Sequence, residues 1–137
     1  MIDISDIVVG RVREAVQAHD RKALVVKGNI QDPTSIPCTF MREMDNSTYS
    51  KSENCKGEHH AVIAYEVNTF GSPESAMAVQ GVIDAEMQAM KFHRRFCKQI
   101  PNADNTLARV VARYSAIVEK GRDENGDTVY QIYRHGR

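Results

Sequence analysis

Apolar residues near the start of the chain recur at spacings of three and four. Ile4, Val8, Val12, Ala15, Val16 and His19 fall on one face of a 3.6-residue period, which predicts an amphipathic helix over 3–19. Asp3 or Ser5 is placed to accept a bond from an unpaired N–H at its start, and Gly10 weakens its interior. A short strand is expected at 22–27, then a loop carrying Gly28, Pro33 and Pro37, then a strand at 38–44 whose first position can follow a proline. Residues 45–58 are polar and rich in turn formers, and read as a surface loop or hairpin tip. Residues 59–70 alternate with a period of two, setting Ala61, Ile63, Tyr65 and Val67 on one face and His60, Val62, Ala64, Glu66 and Asn68 on the other.

The second helix has the clearer signature. Ser72 is placed as N-cap, Pro73 suits the first helical position, and Glu74 suits the positive end of the helix dipole. Ala76, Val79, Ile83, Met87 and Met90, with Val82 beside them, form its apolar stripe over 73–90. Strands follow at 91–100 and 106–119. In the latter Ala108, Val110, Ala112, Tyr114, Ala116 and Val118 oppose Leu107, Arg109, Val111, Arg113, Ser115 and Ile117. Asn125-Gly126 predicts a two-residue turn into a last strand near 128–134, making a C-terminal hairpin over about 106–134. The order of elements argues an α+β fold, with two helices packed on one face of a mainly antiparallel, long-stranded sheet. At ~3.3 Å per residue the two longest strands would span roughly 40 Å, against a typical ~17–20 Å. Their second faces mix polar and apolar residues, which suits either a solvent face or a subunit interface.

Length adds that residues 1–137 fit a single domain. With 18 Lys+Arg against 18 Asp+Glu, the chain has no overall field with which to grip nucleic acid. No apolar run approaches the ~18 residues of a membrane span, and the charged N-terminus lacks a signal-peptide core, so a cytoplasmic site of synthesis is expected. Cys38, Cys55 and Cys97 are odd in number and widely spaced, and read as free thiols.

Candidate chemistry is sparse. Cys55 with His59 and His60 offers a thiol beside imidazoles, but paired ligand spacing is lacking, and adjacent strand residues point to opposite faces. His93 and Cys97, four apart on a strand, would share a face but lie too far apart to share a metal. Phosphate-loop, nucleophile-elbow, zinc-protease and calcium-loop motifs are absent from the sequence. Neither a cofactor nor a catalytic residue is expected. The basic run Lys91, His93, Arg94, Arg95, Lys98 carries no acidic residue, and Arg109 and Arg113 share one strand face. These could meet DNA phosphates or an acidic partner, or form a solvated strand surface.

Several blocks taken together resemble a known group. They are the Met1-Ile2-Asp3-Ile4 start, Gly57-Glu58-His59 leading into Tyr65-Glu66-Val67, and Ser72-Pro73-Glu74-Ser75 opening the helix that ends in Met87-Gln88-Ala89-Met90-Lys91-Phe92. Arg109 to Val118 completes the set. Over about residues 1–134 the chain resembles the tail terminator, or tail-completion, proteins of the bacteriophage neck. The resemblance rests on order and pattern. It implies a non-enzymatic virion protein, assembled in the host cytoplasm as a homo-oligomeric ring, commonly a hexamer. Such a ring caps the tail tube protein, joins it to the head connector protein, and lets DNA pass through its lumen without specific binding. On that reading Arg94, Arg95, Lys98, Arg109 and Arg113 are the candidate lumen or partner contacts. A head-closure protein of the same neck and a small Cys/His-dependent enzyme or ligand-binding domain are the alternatives.

Overall fold

A computed structural model of the chain describes residues 1–30, 37–48, 60–100 and 107–135. Among these, the elements run α1 (Ser5–His19), β1 (Leu24–Lys27), β2 (Cys38–Thr48), β3 (His60–Gly71), α2 (Pro73–Ala89), β4 (His93–Ile100), β5 (Ala108–Arg122) and β6 (Thr128–Arg134). The fold is α+β. One six-stranded sheet has the order β1-β2-β3-β5-β4, and β6 also pairs with β5. Only β1 and β2 pair in parallel; the other neighbours are antiparallel. β4 meets β5 at Arg109–Ser115 and β6 meets it at Ala116–Arg122, both on the edge that β3 leaves free. The strands β3 and β4, joined by α2, therefore run parallel with β5 between them.

The helices cover one face. Val8, Val12 and Val16 of α1 and Val79, Ile83 and Met87 of α2 pack on Met41, Ala61, Ile63, Tyr65, Val67, Ala112, Tyr114, Ala116 and Val118. The α2 stripe is the one read from periodicity, and Ser72 caps it by accepting from the Ser75 N–H at 3.2 Å. A Cβ at Gly71, just before it, would stand 2.6 Å from Ser75 Oγ and would force that hydroxyl to turn away. The α1 stripe is rotated from expectation. Val9 is buried and His19 is exposed, and Ile2 ahead of the helix joins the same core cluster. The α1 N-cap is Ile4 and has no side-chain cap. Asp3 Oδ1 instead accepts the Ser5 N–H at 3.0 Å, and Ser5 Oγ shares a 3.2 Å bond with the buried Tyr65 hydroxyl.

Three further expectations are corrected. The polar residues 45–48 are strand, because the ladder to β3 continues through Asp45↔Ala64 to Thr48↔Ala61 past a bulge at Met44. The rest of the predicted loop, 49–58, lies outside the described residues. Lys91 and Phe92 belong to the end of α2. The Phe92 N–H reaches Met87 O and the Lys91 N–H reaches Gln88 O, a Schellman closure with Lys91 at φ 70°. Asn125-Gly126 is not a two-residue turn. The Gly126 N–H donates to Asp123 O, Asp123 and Asp127 remain paired, and only Gly126 takes positive φ. The loop is thus three residues long with glycine in the left-handed position, whereas the two-residue form needs positive φ at both central residues.

Lys91 holds a conformation that glycine adopts without a Cβ penalty. Lys91→Gly should raise unfolding stability by about 0.5–1 kcal/mol, read as a higher urea midpoint at unchanged slope.

A candidate interface on the uncovered sheet face

The register of the ladders places side chains of the uncovered face in rows across the sheet. Leu24, Cys38, Phe70, Arg109 and Ile100 form one row, and Val26, Phe40, Asn68, Val111 and Lys98 the next. Arg42, Glu66, Arg113 and Phe96 follow, then Asp45, Ala64, Ser115 and His93. Among the described residues no helix lies on this face, yet Cys38, Phe40 and Phe70 are buried, packed with Leu24, Val26 and Leu107. Phe40 and Phe70 meet edge to face at 6.0 Å.

Beside that apolar cluster lies a charged lattice centred on Glu66, which is 6% exposed. Its Oε1 accepts from Arg42 Nε at 3.3 Å, Arg42 Nη2 at 3.2 Å and Asn68 Nδ2 at 3.1 Å. Its Oε2 accepts from Arg113 Nε at 3.0 Å. The Oδ1 of the buried Asn68 accepts in turn from Arg109 Nε at 3.1 Å and Nη2 at 2.9 Å. Arg109 lies over the Phe70 ring and Arg113 over the Phe96 ring, with guanidinium carbons 5.8 and 5.6 Å from the centroids. Burial pushes the Glu66 carboxyl up, but the Asn68 amide, the Arg42 charge and the Arg113 bond outweigh it, and the group is held below its ordinary value.

The basic residues singled out in the sequence do not all gather here. Arg109 and Arg113 belong to the lattice, and Lys98 stands exposed in the row between them. Arg95 is the extra residue of a bulge in β4. It donates to Ser115 Oγ at 2.8 Å and to His135 O at 2.6 Å, tying β4 to the end of β6. Arg94 points to the other face, where it pairs with Asp84 of α2 at 3.2 Å. Asp84 also accepts from the buried Tyr114 hydroxyl at 2.7 Å, which accepts from Gln80 at 2.9 Å, so Arg94 is part of the joint between helix and sheet. Arg42, Glu66 and Asn68 were not singled out by sequence reading. The available signal was a glutamate and an asparagine two apart inside an otherwise apolar strand, opposite two arginines four apart.

Of the Cys/His alternative only His60 falls among the described residues. Cys55 and His59 lie outside the described residues. His60 Nε2 lies 3.3 Å from Glu119 Oε2, and among the described residues no three His, Cys, Asp or Glu side chains are grouped to hold a metal ion. The same bulge that turns out Arg95 sets His93 opposite Ser115 and Cys97 opposite Ala112. The two therefore lie on opposite faces, not on one face as expected. Burial holds the Cys97 thiol above its ordinary value, which lowers its thiolate fraction.

Compared with known proteins, the chain matches no family model and no curated sequence.

Glu66 should contribute stability that depends on pH. Because its folded value lies below the ordinary 4.5, that contribution is complete above 4.5 and is lost as pH falls through the folded value. Glu66→Gln should cost about 1–2 kcal/mol near neutral pH in urea unfolding. The gap to wild type should close as the pH is taken below 4.5.

Proposed function

We propose that the protein is a structural subunit of a tailed-phage neck, a ring-forming tail terminator that caps the tail tube and joins it to the head connector. The observation that carries this reading is the uncovered sheet face. On the side that no helix covers among the described residues, strands of 11, 12 and 15 residues carry a hydrogen-bonded carboxylate, and beside it Phe96, Lys98 and Arg113 stand exposed. A face furnished in that way suits a contact surface more than a solvated one. The sequence blocks that resemble terminators supply the rest, with the order of two helices and long strands they imply.

A ring requires two different patches on each subunit, since its contacts are head-to-tail. Two patches of ~800 Å² would take about a fifth of the subunit's 8142 Å² surface. The uncovered face and the two edges of the sheet offer that area. Residues such as Lys98 and the outer ends of Arg113 and Arg42 then carry a weak positive field beside passing DNA. A zero overall charge keeps such contacts from holding DNA in place.

The test is electron microscopy of a lysate from which this gene is deleted. Tails of irregular, excessive length with no heads attached are expected. Tails of normal length lying beside filled heads would assign the protein to head closure instead, and normal infectious particles would overturn both.

A further inference from the structure

β4 and β6 lie end to end along the same side of β5. His93 opens β4 opposite Ser115, and Arg134 closes β6 opposite Ala116, the next residue of β5. One edge of the sheet is therefore built from two strands with a joint between them, and side chains hold the joint. Arg95, the extra residue of the β4 bulge, donates from Nε to Ser115 Oγ at 2.8 Å. Its Nη2 donates to His135 O at 2.6 Å and to His135 Nδ1 at 2.9 Å. Ser115 Oγ lies 3.3 Å from the same Nδ1. In the other direction, Arg134 Nη2 donates to His93 Nδ1 at 3.2 Å. The two strands thus exchange arginines, each offering one to a histidine of the other.

A guanidinium has donors only and keeps its proton in proteins. Nδ1 is therefore the acceptor in both crossed contacts, and each neutral ring carries its proton on Nε2. A second proton, at Nδ1, would set N–H against N–H and add positive charge to a joint that already holds two arginines. Around His93 stand Arg94 and Arg95 of β4, with Arg134 and His135 at the end of β6. Among the described residues no carboxylate bonds either ring. The acidic groups of the neighbouring elements are engaged elsewhere. Asp84 of α2 holds Arg94 and the Tyr114 hydroxyl, Glu66 of β3 holds Arg42 and Arg113, and Glu119 of β5 holds His60 and Tyr133. Burial, with Arg95 and Arg134, keeps the His93 ring below its ordinary value, and burial with Arg95 does the same for His135.

We propose that the joint between β4 and β6 is an acid-sensitive latch, closed by the crossed arginine–histidine bonds and opened by protonation of His93 and His135. With both imidazoles neutral, the end of β6 is held against β4. Protonation removes both acceptors, and residues 133–135 detach and leave the edge of β5 open near Ala116. The opening stays local, because Tyr130 and Ile132 pack β6 against the core beneath the helices. The sign follows from linkage. Both folded values lie below 6.5, so the stability of the joint is complete above 6.5 and is lost as pH falls through them. Glu66 responds in a lower range, below 4.5, which keeps the two effects apart. The latch does not depend on the neck reading.

Amide hydrogen exchange of the full chain, read by NMR as protection factors at about pH 7.5 and about pH 5, tests this. Protection over residues 133–135 should fall about tenfold or more at the lower pH, while that over 61–67 of β3 holds within about twofold. In the double variant His93→Asn with His135→Asn, an amide oxygen stands near the place of each Nδ1 and takes no proton. Its protection over 133–135 should be the same at both pH values. Ring-nitrogen NMR spectra of wild type at neutral pH should show Nδ1 unprotonated in both histidines. A proton on Nδ1 of either ring overturns the proposal, as does protection over 133–135 that ignores pH in wild type. An equal loss over 61–67 also overturns it, since that is general acid unfolding, and so does a double variant that still loses protection at the lower pH. Should the double variant fail to fold, Arg134→Gln serves. Removing that charge should raise the His93 titration midpoint toward 6.5, and an unchanged midpoint overturns the proposal.

Discussion

The antiparallel ladder between β3 and β5 is the constraint from which the other features follow. It runs unbroken from His60↔Glu119 to Gly71↔Ala108. Along it the residues opposite each other are apolar on one side and polar or mixed on the other. Ile63 meets Ala116, Tyr65 meets Tyr114 and Val67 meets Ala112 beneath the helices. Glu66 meets Arg113 on the reverse. A slip of β3 by one residue would turn Tyr65 outward, away from Tyr114, and drive Glu66 under α2. The pairing is thus fixed twice, by burial of the apolar set and by the charge match across it.

That double requirement explains the lattice. A carboxylate withdrawn from water costs several kcal/mol unless its oxygens are fully used. Glu66 reaches that condition only because β2 contributes Arg42 in register and β5 contributes Arg113. Asn68, one row away, completes the fourth contact and passes its own acceptor to Arg109. On the helix side a second polar joint, Gln80, Tyr114, Asp84 and Arg94, fixes α2 against β4 and β5. Two sets of arginines that look alike in sequence therefore have different surroundings. Arg94 belongs to the inner joint, and Arg109 and Arg113 to the outer face.

Much of the architecture was legible in the chain. Alternation in 59–70 and 106–119 gave the strands and their faces, since side-chain period alone decides both. The α2 boundaries followed from Ser72, Pro73 and the apolar stripe. What periodicity could not show was register, and with it the meeting of Glu66 with two arginines from different strands. Bulges were equally hidden. The extra residues Met44 and Arg95 leave no compositional mark, yet one lengthens β2 into a polar segment and the other puts His93 and Cys97 on opposite faces. The Asn125-Gly126 pair was a true turn signal whose loop length is set by the pairing of Asp123 with Asp127, a contact between flanks rather than a property of the dipeptide.

The central claim is that the uncovered face, with Glu66 at its middle, is the working surface of a neck ring. Electron cryo-microscopy of the neck in assembled particles tests it most directly. The expected result is a closed ring of this subunit at the head-proximal end of the tail tube. In it, the rows from Arg109 to Arg113 should border the channel that holds DNA. A ring with the α1 and α2 helices lining the channel, or a neck without this chain, would contradict the claim.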